Sequence, residues 1–225
     1  MSFRADAAIG ARLAVGPAAA TLALGVSFGA AAAAAGWGIA APMFFSAFGF
    51  SGSAQFSLLT TLSTGSAIAA VASAVLINAR YLVMGIALND SLEGSRPWRA
   101  LQAQALVDAS FVVAHSGGGR FDIARLVGAT AVQWACWLAG TFIGLLLQPD
   151  TELMMQLGID VVFPAFFLLL VIEEMRSRRA VVAALIGATI SGGLLLVTEP
   201  GLALLAATLG ALVGLLPEHE GVSAR

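Results

Sequence analysis

The chain has 225 residues, 59% of them hydrophobic and 11% charged, with a net charge of −2 and a mean hydropathy of +0.93. A soluble domain carries about 25% charged residues, so the composition excludes a water-soluble fold and indicates an integral protein of the lipid bilayer. The eleven basic residues are all arginines, scattered rather than clustered, and Cys136 is alone; no nucleic-acid face, internal disulfide or thiolate metal site is expected.

One helical crossing needs about 20 apolar residues, and runs of that order predict eight segments: 13–36, 38–64, 66–88, 102–116, 126–148, 153–174, 180–198 and 201–216. The expected fold is an all-α polytopic membrane protein forming a single transporter domain, with no soluble domain left over. Residues 1–12, carrying Arg4, Asp6 and Arg12, read as a cytoplasmic N-terminus followed by a retained first span rather than a cleaved signal. The shortest segment, 102–116, admits a re-entrant alternative, and 89–103 an interfacial helix. If every segment crosses, Arg4, Arg12, Arg120, Arg125, Arg176, Arg178, Arg179 and Arg225 fall on one side and only Arg96 and Arg99 on the other. The positive-inside rule then places both termini in the cytoplasm.

Polar residues interrupt these runs in a pattern. GVSFGAA (25–31) puts Ser27 between Gly25 and Gly29 and before Phe28; it reads either as a binding element or as a Gly-xxx-Gly packing face. GFSGSAQF (49–56) gathers Ser51, Gly52, Ser53, Gln55 and Phe56, more hydrogen-bonding and hinge residues than packing needs. Non-helical backbone at depth is tolerated only where protein or a cavity satisfies it, and a half-helix that starts there offers free N–H groups to a carboxylate. Gly140/Gly144 and Gly210/Gly214 read as packing.

LINARYLVMG (76–85) sets Asn78 and Arg80 inside an apolar run. Counting inward from the segment ends puts Arg80, Asp108 and Asp160 at one level, about 9 to 12 Å deep at 1.5 Å per residue. A charge in hydrocarbon costs a few kcal/mol or more, so such groups pair, snorkel or line a wet cavity. Two carboxylates against one arginine leave an acid unmatched, and Asp108 and Asp160 are therefore candidates for proton coupling. A weak internal echo aligns INARYLVMGIAL (77–88) with IDVVFPAFFLLL (159–170) and Ser27-Phe28 with Ser110-Phe111. It suggests a first repeat over 13–88 and an inverted second over 102–174, followed by two spans in 180–216.

VSFGAA, SGSAQF, NARYLVMG, VDASF and GIDVVFPAFF, in that order, resemble the AzlC family of bacterial branched-chain amino acid export permeases. Where that family often has an acidic pair before Ser-Phe, this chain has Asp108-Ala109. The resemblance implies an inner-membrane exporter of valine, leucine and isoleucine, with methionine as a further candidate, working with a small hydrophobic AzlD-type partner subunit. The expected site meets an amino acid's carboxylate with Arg80 or with half-helix N–H groups near Ser27 and Ser53. Its ammonium falls to Asp108, Asp160 or Gln55, and its side chain to Phe28, Phe56 and Phe111. No cofactor and no enzymatic activity are expected. Two other classes stand beside this one. One is a passive channel, which would show polar faces repeated along a span, or a scaffold subunit; the other is a rhomboid-like protease, which would use Ser51 with His115.

Overall fold

The computed structural model describes residues 2–63, 66–117, 119–147 and 178–198, with single positions between 152 and 175 and between 203 and 209. The predicted spans 153–174 and 201–216, and Asp160 with them, lie outside the described residues. What is described is mostly helix: α1 (Phe3–Leu13), α2 (Val15–Ala34), α3 (Ala40–Phe44) running into a π-helical turn (Phe45–Gly49), α4 (Gly52–Ser63), α5 (Ala67–Asn78) and α6 (Arg80–Leu88). A 3₁₀ turn (Asn89–Ser91) leads to α7 (Arg96–Ala103), α8 (Asp108–Ala114), a small hairpin of β1 (His115–Gly117) and β2 (Arg120–Phe121), α9 (Ile123–Leu147) and α10 (Arg178–Leu194).

Three of these helices are long and apolar enough to cross a membrane: α2, the α5–α6 run through Ser91, and α9. They match the predicted segments 13–36, 66–88 and 126–148. Residues 1–12, expected as a tail, instead form most of α1, whose Gly10 packs on Arg125 while Ala7 meets Gly128.

The first and fifth predicted spans form the frame. A Cβ added at Gly25 would sit 2.8 Å from the Trp137 carbonyl oxygen, and one at Gly29, Gly140 or Gly144 would run into the facing backbone at Thr141, Leu22 or Val26 respectively. Low residue numbers meet low and high meet high, so α2 and α9 lie parallel with their backbones in contact. Lipid tails are as apolar as leucine, so helices associate in a bilayer largely through such close backbone approach. Gly25-xxx-Gly29 is thus a packing face, as one of its two sequence readings held. Ser27 points its hydroxyl back to the Ala23 carbonyl at 3.2 Å, and Ser27 and Gly29 are removed from the binding set.

The second and fourth predicted segments are not single crossings. Segment 38–64 breaks at Phe50, which takes a left-handed conformation (φ 33°, ψ 48°). A non-glycine residue there costs about 1 kcal/mol, and the chain reverses sharply at this point. α4, with 12 residues, is about 18 Å long, roughly half the 30 Å hydrocarbon thickness. It runs back alongside α5, with Ser57 donating to Ser73 at 2.9 Å and Thr61 bonded to Ser73 at 3.4 Å. Its first turn lies beside Arg80, which is about 20 Å along the α5–α6 run. Residues 40–63 therefore form a re-entrant hairpin whose tip stops at mid-depth.

Residues 96–114 do the same from the other end. α7 docks on the end of the α5–α6 run, where Arg99 Nη2 donates to Asn89 Oδ1 at 2.7 Å and Gln102 Nε2 to the Glu93 carbonyl at 2.9 Å. The linker after α7 goes deep: Thr130, about 10 Å into α9, donates to the Ala105 carbonyl, and Gln104 Nε2 donates to the Phe48 carbonyl of the first hairpin at 3.2 Å. α8 then returns to the end it came from, where Leu88, Leu106, Ala114 and Leu126 share a core and Phe121 N–H donates to Ser91 Oγ. This corrects the sequence reading of Arg96 and Arg99 as opposite to the other arginines. They stand at the same end as Arg120 and Arg125, where Gly10 of α1 packs on Arg125, while Arg80 is inside.

Two outcomes test this architecture. With Cys136 replaced by alanine, single cysteines at Ser2, Arg99 and Ser116 should react with an impermeant thiol reagent from one side of the membrane, and a cysteine at Gly36 from the other; Arg99 labelling with Gly36 would restore the crossing reading. Gly140→Leu should destabilise the protein by about 3 kcal/mol or more, seen as loss of the monodisperse folded peak in detergent.

Candidate functional site

The two hairpin tips and the frame enclose a pocket of about 350 Å³. α2 contributes Pro17, Thr21 and Leu24; the first tip contributes Phe50, Gly52, Ser53 and Phe56; α6 contributes Arg80 and Tyr81. The second tip adds Val107, Asp108 and Ala109, and α9 adds Gln133 and Trp137.

Its charged centre is one ion pair. Arg80 Nη2 lies 2.9 Å from Asp108 Oδ2 and donates to Ser53 Oγ at 2.8 Å. The Tyr81 hydroxyl donates to Asp108 Oδ2 at 3.2 Å and accepts from Arg80 Nη2 at 3.4 Å, while the Arg80 guanidinium carbon lies 5.1 Å from the Tyr81 ring centroid. The side chains of Arg80 and Asp108 remain 32% and 48% exposed, so the pair borders open space instead of being sealed in protein. Three elements hold it. α6 carries the arginine, α8 begins at the aspartate, and α4 begins with Gly52 and brings Ser53.

Local sequence explains these placements. Ser110 Oγ accepts from the Val107 N–H at 3.0 Å and donates toward the Ala105 carbonyl, closing the turn that delivers Asp108. Gly52 leaves room for the Trp137 ring, whose Cη2 would lie 2.7 Å from an added Cβ. Ser51 Oγ donates to Asn78 Oδ1 at 2.6 Å and so ties the reversal to the last residue of α5.

A second polar cluster lies behind the pocket. Ser46 Oγ accepts from Gln55 Nε2 and from Trp137 Nε1, both at 3.1 Å, and bonds Thr141 Oγ1 at 3.0 Å. Gln55 therefore braces the π-helical turn against α9 and does not line the pocket. Phe28 is fully buried, stacked on Trp137 at 6.0 Å and edge-on to Phe56 at 5.5 Å, supporting the wall from outside.

Of the sequence-expected set, Gly52, Ser53, Phe56, Arg80 and Asp108 are brought together on the pocket surface, with Ser51 and Asn78 bonded beside them. Phe111 is not there; its ring packs on Phe121 at 4.6 Å near the arginine-rich end. Asp160 lies outside the described residues. Sequence reading missed Tyr81, Thr21, Gln133 and Trp137. Tyr81 is the only tyrosine in the chain and follows Arg80 directly, a signal that was available.

The hydrolytic pairing is not assembled. Ser51 is bonded to Asn78, and His115 stands on the β-hairpin with its ring edge against Phe121. Among the described residues no three His, Cys, Asp or Glu side chains converge to hold a metal.

Removing one charge leaves the other without its partner, a larger loss than removing both. Arg80→Gln and Asp108→Asn should each lower the unfolding midpoint in detergent, and the double variant should recover a coupling of about 1–2 kcal/mol. Strictly additive losses would show that the two charges do not act together.

The family described as AzlC protein matches residues 17–149, more than half of the chain. No curated protein and no solved structure gives a match.

Proposed function

The chain belongs to the AzlC family, and on that premise we propose that it is a secondary carrier exporting branched-chain amino acids across the bacterial cytoplasmic membrane. The observation that carries the reading is the Arg80–Asp108 pair at the junction of two short helices, facing a pocket whose surface is mostly apolar.

An empty site holding opposite charges at membrane depth satisfies itself by pairing them. A zwitterion can enter by exchange: its carboxylate takes Arg80 and the free N–H groups at the start of α4, and its ammonium takes Asp108. Neither protein charge is left bare, and two short ion pairs replace one. A cargo with a single charge would strand either the guanidinium or the carboxylate, which is costly away from water. Thr21, Leu24, Phe56 and Trp137 then line the space for an aliphatic side chain. A pocket of this volume accepts valine, leucine, isoleucine or methionine.

Tyr81 contacts both members of the pair and can follow either one as the pair opens. The hairpin tips, joined to each other by the bond from Gln104 to Phe48, with the first also tied to α9 by that from Trp134 Nε1 to the Ala47 carbonyl at 3.0 Å, are the elements that must part to connect the pocket with each side in turn. With Asp108 matched by Arg80, Asp160 is the remaining candidate for proton coupling. For the export direction and a small AzlD-type hydrophobic subunit, the support is the resemblance of the sequence motifs to those of branched-chain amino acid exporters. In this reading the arginine-rich end faces the cytoplasm by the positive-inside rule, which puts the N-terminus there.

Efflux of preloaded labelled valine, leucine, isoleucine, methionine and lysine from cells with and without the protein and a candidate small subunit tests this reading. Release of the four neutral amino acids, and not of lysine, is the expected result. Arg80→Gln should abolish that release while the protein stays in the membrane. Full export by this variant, or release of lysine alone, would refute the reading.

A further inference from the structure

Among the described residues there are five glutamines, and four of them commit their amide nitrogen to a partner. Gln55 donates to Ser46, Gln102 to the Glu93 carbonyl, Gln104 to the Phe48 carbonyl and Gln156 to Glu152. Gln133 does not. It is 6% exposed, it lines the pocket, and its Nε2 is shut off from solvent with no hydrogen-bond partner. A glutamine that serves helix packing in a membrane bonds across to a neighbouring helix. A buried donor left unmade is costly, so its retention calls for an acceptor that the protein itself does not supply.

Its position says which acceptor. On α9, Gln133 shares a face with Thr130 and Trp137, three residues before it and four after. Thr130 is bonded to Ala105 in the second hairpin, and Trp137 to Ser46 in the first. Gln133 is therefore held at the seam between the two tips. Arg80 Nε, on the same pocket, is the other pocket-lining donor that is buried and unpartnered. Two unspent donors beside an ion pair that is already matched amount to a missing anionic acceptor.

We propose that Gln133 is a substrate-binding residue whose side-chain amide, together with Arg80, takes the carboxylate of the cargo. This rests on the pocket being the cargo site. It gives α9, which already lines the pocket with Trp137, a polar contact to the cargo as well, so that cargo is bonded to both hairpins and to the helix they close against.

The test is equilibrium binding to purified full-length protein of three probes that share one aliphatic tail: leucine, 4-methylpentanoate, which lacks the ammonium, and 3-methylbutylamine, which lacks the carboxylate. Gln133→Leu keeps the shape and removes the amide. Both singly charged probes should bind the wild type more weakly than leucine; the variant should weaken leucine and 4-methylpentanoate each roughly tenfold or more, the loss of one hydrogen bond to a charged group, and leave 3-methylbutylamine unchanged. The unliganded variant should melt at or above the wild type, because an unmet donor has gone; Gln133→Met carries the same test should the leucine variant fail to fold. Equal weakening of all three probes, or of none, overturns the proposal. Wild-type binding of 4-methylpentanoate without leucine, lost in the variant, would keep Gln133's role and overturn the amino-acid reading. Binding of neither carboxylate would overturn both.

Discussion

An arginine in hydrocarbon must be met by something, and in this protein the rest of the described architecture follows from how Arg80 is met. Its partner, Asp108, comes from a different helix, and its second acceptor, Ser53, from a third. A continuous crossing would carry only a turn or so of its length past that depth. A half-helix that begins there presents its whole first turn, with free N–H groups and short polar side chains, to the same point. The requirement to neutralise one guanidinium at mid-depth is thus answered by two chain reversals, at Phe50 and at Gln104–Val107, which deliver α4 and α8 from opposite ends.

Such reversals leave backbone polar groups away from water, and each has a visible remedy. Gln104 and Trp134 donate to the Phe48 and Ala47 carbonyls, Thr130 meets the Ala105 carbonyl, and Ser110 closes the turn before Asp108. Most of these donors sit on α9 or beside it. α9 is fixed in turn by backbone contact with α2 through Gly25, Gly29, Gly140 and Gly144. The tight, glycine-lined interface and the looser, hydroxyl-lined hairpins divide the labour between a rigid frame and elements able to move against it.

The three full spans were legible in the sequence because length and apolarity alone specify them. So were the residues at the charged centre, since ionisable groups in an apolar run carry their own signal. Two hairpins were read as crossings because a helix–break–helix of two half-lengths has the same length and apolarity as one span; only the Gly-Ser cluster at 49–53 and the shortness of 102–116 hinted otherwise. Arginine parity could not correct this. The count came out eight against two, and the two dissenters, Arg96 and Arg99, were the sign that a segment had been given one crossing too many. Phe111 and Ser27 were misplaced for a different reason. Both sit next to residues that do matter, and adjacency along a helix turns a side chain by 100°, away from the face its neighbour occupies.

Two short hairpins meeting from opposite sides also change the electrical landscape. The pocket lies behind two thin partitions instead of within one thick slab, so the membrane voltage falls across whichever partition is shut. A unit charge carried through that drop exchanges about 2.3 kcal/mol with every 100 mV. A molecule whose charges cancel exchanges none, and its passage is governed by concentration alone unless a proton travels with it.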